Sequence, residues 1–164
     1  MVSSAPVKVG DRAPVFTLPN AAGTAIHLED FIGKKPIVLY FYPKDDTPGC
    51  TAESCSFRDS YEEFKALGAE VIGISSDSPA SHQSFAQKYQ LPFILLSDTN
   101  SQVRTLYGVP TTLFVIPGRV TYVIDRSGIV RHIFDSQFNV IGHIQEALNV
   151  LKTLWSIFAT GCWR

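Results

Sequence analysis

Cysteine is scarce in this chain, with three in 164 residues. That is too few for a disulfide scaffold, and the chain is long enough to bury a core without one. Charge is thin as well: 18% of residues are Asp, Glu, Lys or Arg, and the net charge is −1. There is no basic run to grip nucleic acid and no acidic tail, which leaves small molecules or proteins as partners. No apolar run approaches the length of a membrane span. Met1-Val-Ser-Ser-Ala-Pro-Val7 has neither a basic start nor a long apolar stretch, so a secretory leader is not expected. Internal repeats and low-complexity tracts are missing too. What is abundant is ordinary: 45% apolar residues, as in a globular interior. Length and composition together predict a single domain over residues 1–164.

The order of patterns predicts an α/β fold. Ala13–Leu18 and Thr24–Leu28 flank a turn at Asn20–Gly23 and read as an N-terminal β-hairpin. Ile37–Tyr42 is apolar at consecutive positions, as a strand buried on both faces must be. A helix is expected from Pro48 to about Leu67, stopped by Gly68. Glu70–Ser75 and Phe93–Ser97 are two more buried strands, separated by a helix from Ser78 and Pro79 to Tyr89. A short helix should end at Tyr107, and Val109–Gly118 reads as a loop. Arg119–Asp125 and Ile129–Phe134 form a second hairpin around Arg126-Ser-Gly128, and Ile141 to about Leu154 is an amphipathic helix. Alternating β and α elements call for a central mixed sheet covered by helices.

Two of the three cysteines fall in one polar stretch, Pro43-Lys-Asp-Asp-Thr-Pro-Gly-Cys50-Thr-Ala-Glu-Ser-Cys55. Thr47 is a good N-cap residue, and Pro48 suits the first helical position because its missing N–H would be unpaired there. Cys50 then lies in the first helical turn, facing unpaired N–H groups and the positive end of the helix dipole. Such a site favours thiolate, the nucleophilic form of cysteine. Asp45 and Asp46 read as solvated charges. Glu53 does too, and it also suits a helix start. His27, His82, His132 and His143 are scattered, without metal-ligand spacing to the C-x4-C pair.

These residues resemble the peroxiredoxins. Pro43, Thr47 and Cys50 match the family's P-x-x-x-T-x-x-C motif. Cys55 resembles the resolving cysteine of the peroxiredoxin Q/bacterioferritin-comigratory-protein subgroup. The phrases FYPKDDTPGCT, EVIGISSDS, LLSD and GRVTYVID stand in family order, and the resemblance covers about residues 7–153. Residues 154–164, including Cys162, then read as a C-terminal extension without an assigned role. The resemblance implies a thioredoxin-like fold and a thiol-dependent peroxidase. Cys50 would attack hydrogen peroxide or an alkyl hydroperoxide and become a sulfenic acid, and Cys55 would close an intramolecular disulfide on it. Thioredoxin or a similar dithiol protein would reopen that disulfide. Thr47 would orient the peroxide, and Pro43 would shape the turn and shield the sulfur.

A cation should face the sulfur. Arg58 shares the helix but stands eight residues on, about 12 Å along the axis. Arg119 follows Pro117-Gly118 in a phrase that resembles the family's arginine-bearing segment, so Arg119 is the expected partner. No metal, flavin or haem is implied. A monomer is expected, since an internal resolving cysteine needs no second subunit. The phrases lean toward plastid and cyanobacterial versions, hence a soluble protein of a reducing compartment, chloroplast or bacterial cytoplasm. Two other readings remain at this point. A thioredoxin-like disulfide oxidoreductase would normally show C-x-x-C. A non-enzymatic redox-sensing module would not need the Pro43, Thr47 and Arg119 set.

Overall fold

The computed structural model describes residues 5–112 and 115–160. Cys162 and the end of the expected extension lie outside the described residues. A two-stranded antiparallel hairpin opens the fold, β1 (Thr17–Pro19) and β2 (Ala25–His27), followed by a single 3-10 turn at Leu28–Asp30. Its strands are shorter than the apolar pattern suggests. The central strand β3 (Ile37–Phe41) leads into α1 (Pro48–Asp59) and α2 (Tyr61–Ala66). Then come β4 (Glu70–Ser75), α3 (Pro79–Tyr89), β5 (Ile94–Ser97) and α4 (Gln102–Tyr107). A small hairpin, β6 (Thr111–Thr112) and β7 (Ile116–Pro117), occupies the stretch expected to be a plain loop. The chain continues through β8 (Val120–Ile124), β9 (Val130–Asp135) and α5 (Val140–Ala159).

Five strands form one mixed sheet in the order β5-β4-β3-β8-β9. β3, β4 and β5 run parallel, while β8 and β9 are antiparallel additions. Every residue of β3 and β8 is buried, which explains the unbroken apolar run of β3; β8 is apolar but for Thr121. Strand alternation divides the core in two. Ile37, Leu39 and Phe41 point to the side of the N-terminal hairpin and α4, with Leu28, Val103 and Tyr107. Val38, Tyr40 and Tyr42 point to the other side, where Cys50, Phe57 and Phe64 meet Phe85 and the Ile144, Ala147, Leu148 and Leu151 stripe of α5. Each large apolar side chain buried there is worth about 1.5–3 kcal/mol. Gly73 makes room for this packing, because a Cβ there would stand 2.7 Å from Cζ of Tyr40.

The long helix expected from Pro48 to Leu67 is broken at Ser60, whose φ of −98° and ψ of 6° leave the helical region. Its backbone N–H there reaches the Ser56 and Arg58 carbonyls. Phe57 and Phe64 still meet across the break, with ring centroids 5.6 Å apart. At the other end, α5 runs past Leu154 to Ala159. Among the described residues, no helix is long and apolar enough to cross a membrane.

Candidate active site

Two neighbouring strands deliver the site. β3 pairs with β8 so that Phe41 stands opposite Val120. The residues just beyond β3, from Tyr42 and Pro43, therefore leave the sheet beside Arg119, which stands just before β8. Arg104, buried on α4, ties this corner together. Its Nη2 donates to the Tyr42 carbonyl at 2.9 Å and its Nη1 to the Gly118 carbonyl at 2.7 Å.

From Pro43 the chain turns through Asp45 and Asp46 into α1. Thr47 has the extended backbone of an N-cap, and Pro48 opens the helix, as the sequence suggests. The threonine hydroxyl, however, does not cap. It donates to the Lys44 carbonyl at 2.9 Å, leaving its lone pairs to accept from elsewhere. Cys50 follows in the first turn and is almost completely buried. Cys55 lies on the same helix, half-buried, and both thiols are free.

Arg119 is the cation at the sulfur. Its Nη2 donates to Cys50 Sγ at 3.4 Å, and its Nε donates to the Gln137 carbonyl at 3.2 Å. Gly49 permits the approach, since a Cβ there would come within 3.1 Å of Nη2. Arg58 is elsewhere, donating to the Tyr89 carbonyl at 2.7 Å and paired with Asp59. Pro43, Thr47, Cys50 and Arg119 thus converge at one corner of the fold.

Glu53 corrects the sequence reading. It is not solvated: it is completely buried and paired with Nη1 of Arg119. Its second oxygen, Oε1, has no hydrogen-bond partner among the described residues. Burial pushes the carboxyl up to about 7, against the attraction of Arg119. For Arg119, burial works against the charge, but Glu53 and Cys50 outweigh it and raise its pKa. The guanidinium therefore stays charged, and of the pair it is the Glu53 carboxyl whose hold on a proton burial strengthens. The spacing offered a signal. Glu53 is three residues after Cys50, on the same helical face. Asp45 is also buried, not solvated, whereas Asp46 is exposed and accepts from Lys88 and Tyr89.

His143, on α5, feels the charge of Arg119. Its Nε2 donates to the Ser136 carbonyl at 2.8 Å, so Nδ1 accepts from the Thr121 hydroxyl, also at 2.8 Å. Burial lowers its pKa to about 4, helped by the charge on Arg119.

In chemical terms, the corner holds a nearly buried sulfur at a helix start, one guanidinium donating to it, and a hydroxyl with open acceptor capacity. Such a set can hold a polarisable O–O bond against a nucleophile and stabilise charge on the departing oxygen.

Comparison with known proteins agrees. Residues 9–133 match the model of the AhpC/TSA family. The chain is 54% identical over 149 residues to peroxiredoxin Q, chloroplastic, of Oryza sativa subsp. japonica, covering 90% of this chain and 68% of that one. The Arabidopsis thaliana protein of the same name is also 54% identical over 149 residues, with the same coverage. Among solved structures, peroxidoxin BcpB of Mycobacterium tuberculosis superposes with a TM-score of 0.83 at 36% identity, covering 90% of this chain and 97% of that one. The bacterioferritin comigratory protein of Xanthomonas campestris gives 0.79 at 31% identity, covering 85% and 92%.

Proposed function

The chain belongs to the AhpC/TSA family as a peroxiredoxin of the Q type, a thiol-dependent peroxidase, and from that premise we propose how its residues divide the work. Cys50 is the peroxidatic nucleophile. Its sulfur attacks one oxygen of the peroxide O–O bond, the bond breaks, and the other oxygen leaves as hydroxide or alkoxide. The product on the enzyme is a sulfenic acid. Arg119 stabilises the attacking sulfur and the charge growing on the leaving oxygen; the 3.4 Å contact between Nη2 and Sγ is the observation that carries this reading. Thr47 accepts the peroxide O–H, because its own proton is committed to the Lys44 carbonyl. Pro43 walls the turn against water.

The cycle closes through Cys55. Its thiol condenses with the sulfenic acid, a disulfide forms and water leaves. A dithiol reductant then restores both thiols by exchange. We take thioredoxin or a protein like it as that reductant, and hydrogen peroxide and alkyl hydroperoxides as substrates. The Xanthomonas campestris relative is described by its alkyl peroxide reduction. An internal resolving cysteine supports a monomer as the working unit, and we take residues 1–164 as one domain with its core at about 7–153. The plant relatives are named as chloroplastic, which supports a plastid or another compartment of a photosynthetic cell.

Turnover of hydrogen peroxide with a thioredoxin system tests the assignment. Wild type should turn over and Cys50→Ser should not. Substantial turnover by Cys50→Ser would sink the mechanism.

A further inference from the structure

Behind the Pro43–Thr47 turn lies a buried polar cluster that the chemistry above does not use. His82, on α3, is completely buried. Its Nε2 donates to the Leu96 carbonyl at 3.0 Å. Its Nδ1 stands 2.8 Å from Asp45 Oδ2 and 3.4 Å from the Tyr42 hydroxyl. Asp45 also accepts from the Tyr42 hydroxyl at 2.6 Å and from the Ser81 hydroxyl at 2.8 Å. The Asp45 backbone N–H donates to Asp77 at 2.8 Å. The next residue, Asp46, has a φ of 56°, a conformation disfavoured without glycine. It is held by Lys88 Nζ at 2.8 Å and the Tyr89 hydroxyl at 2.7 Å. Four side chains of α3 therefore grip two consecutive residues of the turn that carries Pro43 and Thr47 and feeds Cys50.

A fixed turn matters because the helix after it cannot stay fixed. Five residues of regular α-helix separate the two cysteines by roughly 8–9 Å between Cα atoms. A disulfide spans about 7 Å at most. Some of the first two turns of α1 must therefore unwind during each cycle. The moving segment needs anchors at both ends. Phe57, stacked on Tyr40 at 4.5 Å between centroids, is the anchor downstream. The grip of α3 on Asp45 and Asp46 is the anchor upstream.

We propose that His82 is a positioning residue for peroxide reduction. Through Asp45 it fixes the Pro43–Thr47 turn, and with it Thr47 and the first turn of α1, in the arrangement that lets Cys50 be oxidised. It acts on sulfenic acid formation and not on disulfide closure, which begins with unwinding beyond the turn. The inference rests on Cys50 being the nucleophile.

The two steps are separable by mixing reduced protein with hydrogen peroxide, quenching at intervals, and following sulfenic acid and disulfide by mass spectrometry. His82→Leu and Asp45→Ala should each slow Cys50 oxidation by about tenfold to a hundredfold, the loss expected for an ångström-scale misplacement. The double variant should be no slower than the slower single one, because both remove the same contact. Closure of the preformed sulfenic acid should keep or exceed the wild-type rate in all three. Asp45→Asn should recover most of what Asp45→Ala loses, since its carbonyl still accepts from Tyr42 and its amide can donate to Nδ1. Oxidation at the wild-type rate in His82→Leu or Asp45→Ala, multiplied losses in the double variant, or slowing of closure alone would overturn the proposal. Should His82→Leu fail to fold, Ser81→Ala removes one donor from Asp45 at a half-buried position. It should slow oxidation by about two- to fivefold, in proportion to one hydrogen bond, and a wild-type rate there overturns the proposal equally. Cys50→Ser in the same assay keeps the two questions apart. Oxidation that persists in Cys50→Ser overturns the nucleophile. Oxidation that stays on Cys50 at full rate in His82→Leu overturns the positioning role alone.

Discussion

Replacing Glu53 by glutamine should stabilise the protein at neutral and alkaline pH. The side chain is completely buried, and one of its oxygens has no hydrogen-bond partner among the described residues. Burial, opposed by Arg119, moves the carboxyl from 4.5 to about 7. The sign follows from linkage. A raised acid favours the folded state while it is protonated, below the unfolded value of 4.5, and loses that advantage as pH rises through about 7. At about 1.36 kcal/mol per pH unit, the loss by pH 8 is on the order of 3 kcal/mol. Glutamine has the shape of the neutral acid, still offers an oxygen to Nη1 of Arg119, and does not ionise. The stability difference between Glu53→Gln and wild type should thus be small at pH 4 and grow to about 3 kcal/mol at pH 8. Urea denaturation of both reduced proteins across that range measures it. The difference curve is needed, because other groups titrate in the same window. A difference that stays flat with pH would show that Glu53 is ionised at no net cost and that Arg119 compensates its burial fully.

Three other outcomes are expected. Arg119→Lys should lower the rate of peroxide reduction by about tenfold to a thousandfold, as for loss of one oxyanion donor. A single ammonium cannot serve Cys50, Glu53 and the Gln137 carbonyl together, and a wild-type rate in stopped-flow oxidation would remove Arg119 from the chemistry. Hydrogen exchange at residues 49–57 should be slow in the reduced protein and fast once the disulfide has formed; equal protection with the disulfide confirmed would mean that no unwinding occurs. His143 should work against Glu53. Its pKa is lowered by burial to about 4, so its contribution is complete above the ordinary value of 6.5 and is lost as pH falls through 4. His143→Gln should flatten acid unfolding between those values in circular dichroism melts, and an unchanged acid limb would contradict the burial argument.

Much of this protein was legible in its sequence, because the governing interactions are local. The unbroken apolar run of β3 announces a strand covered on both faces. Thr47 and Pro48 mark the helix start, and the spacing of Cys50 and Cys55 places both on one helix. Those features depend on backbone geometry and on neighbours within a few positions. Even Arg119, sixty-nine residues beyond Cys50, was recoverable only because it sits in a recognisable phrase. Its contact with the sulfur is a consequence of β3 lying beside β8, a pairing that no local pattern encodes.

Tertiary structure decided which charged residues are solvated. Glu53 and Asp45 look like surface residues in sequence, since polar side chains at a turn or helix start usually face water, and His82 shows no pattern that sets it apart from the other histidines. Here the fold closes over each of them. The corner between β3 and β8 buries Glu53 against Arg119, and α3 folds back to bury Asp45 against His82, Tyr42 and Ser81. The physical reason is that desolvation depends on everything packed around a group, including segments far away in the chain. The sequence by itself determined the helix that carries Cys50 and Cys55 and the place of Cys50 in its first turn. Only the folded molecule determined the burial that raises the Glu53 carboxyl beside Cys50 and the contacts of α3 that hold the preceding turn.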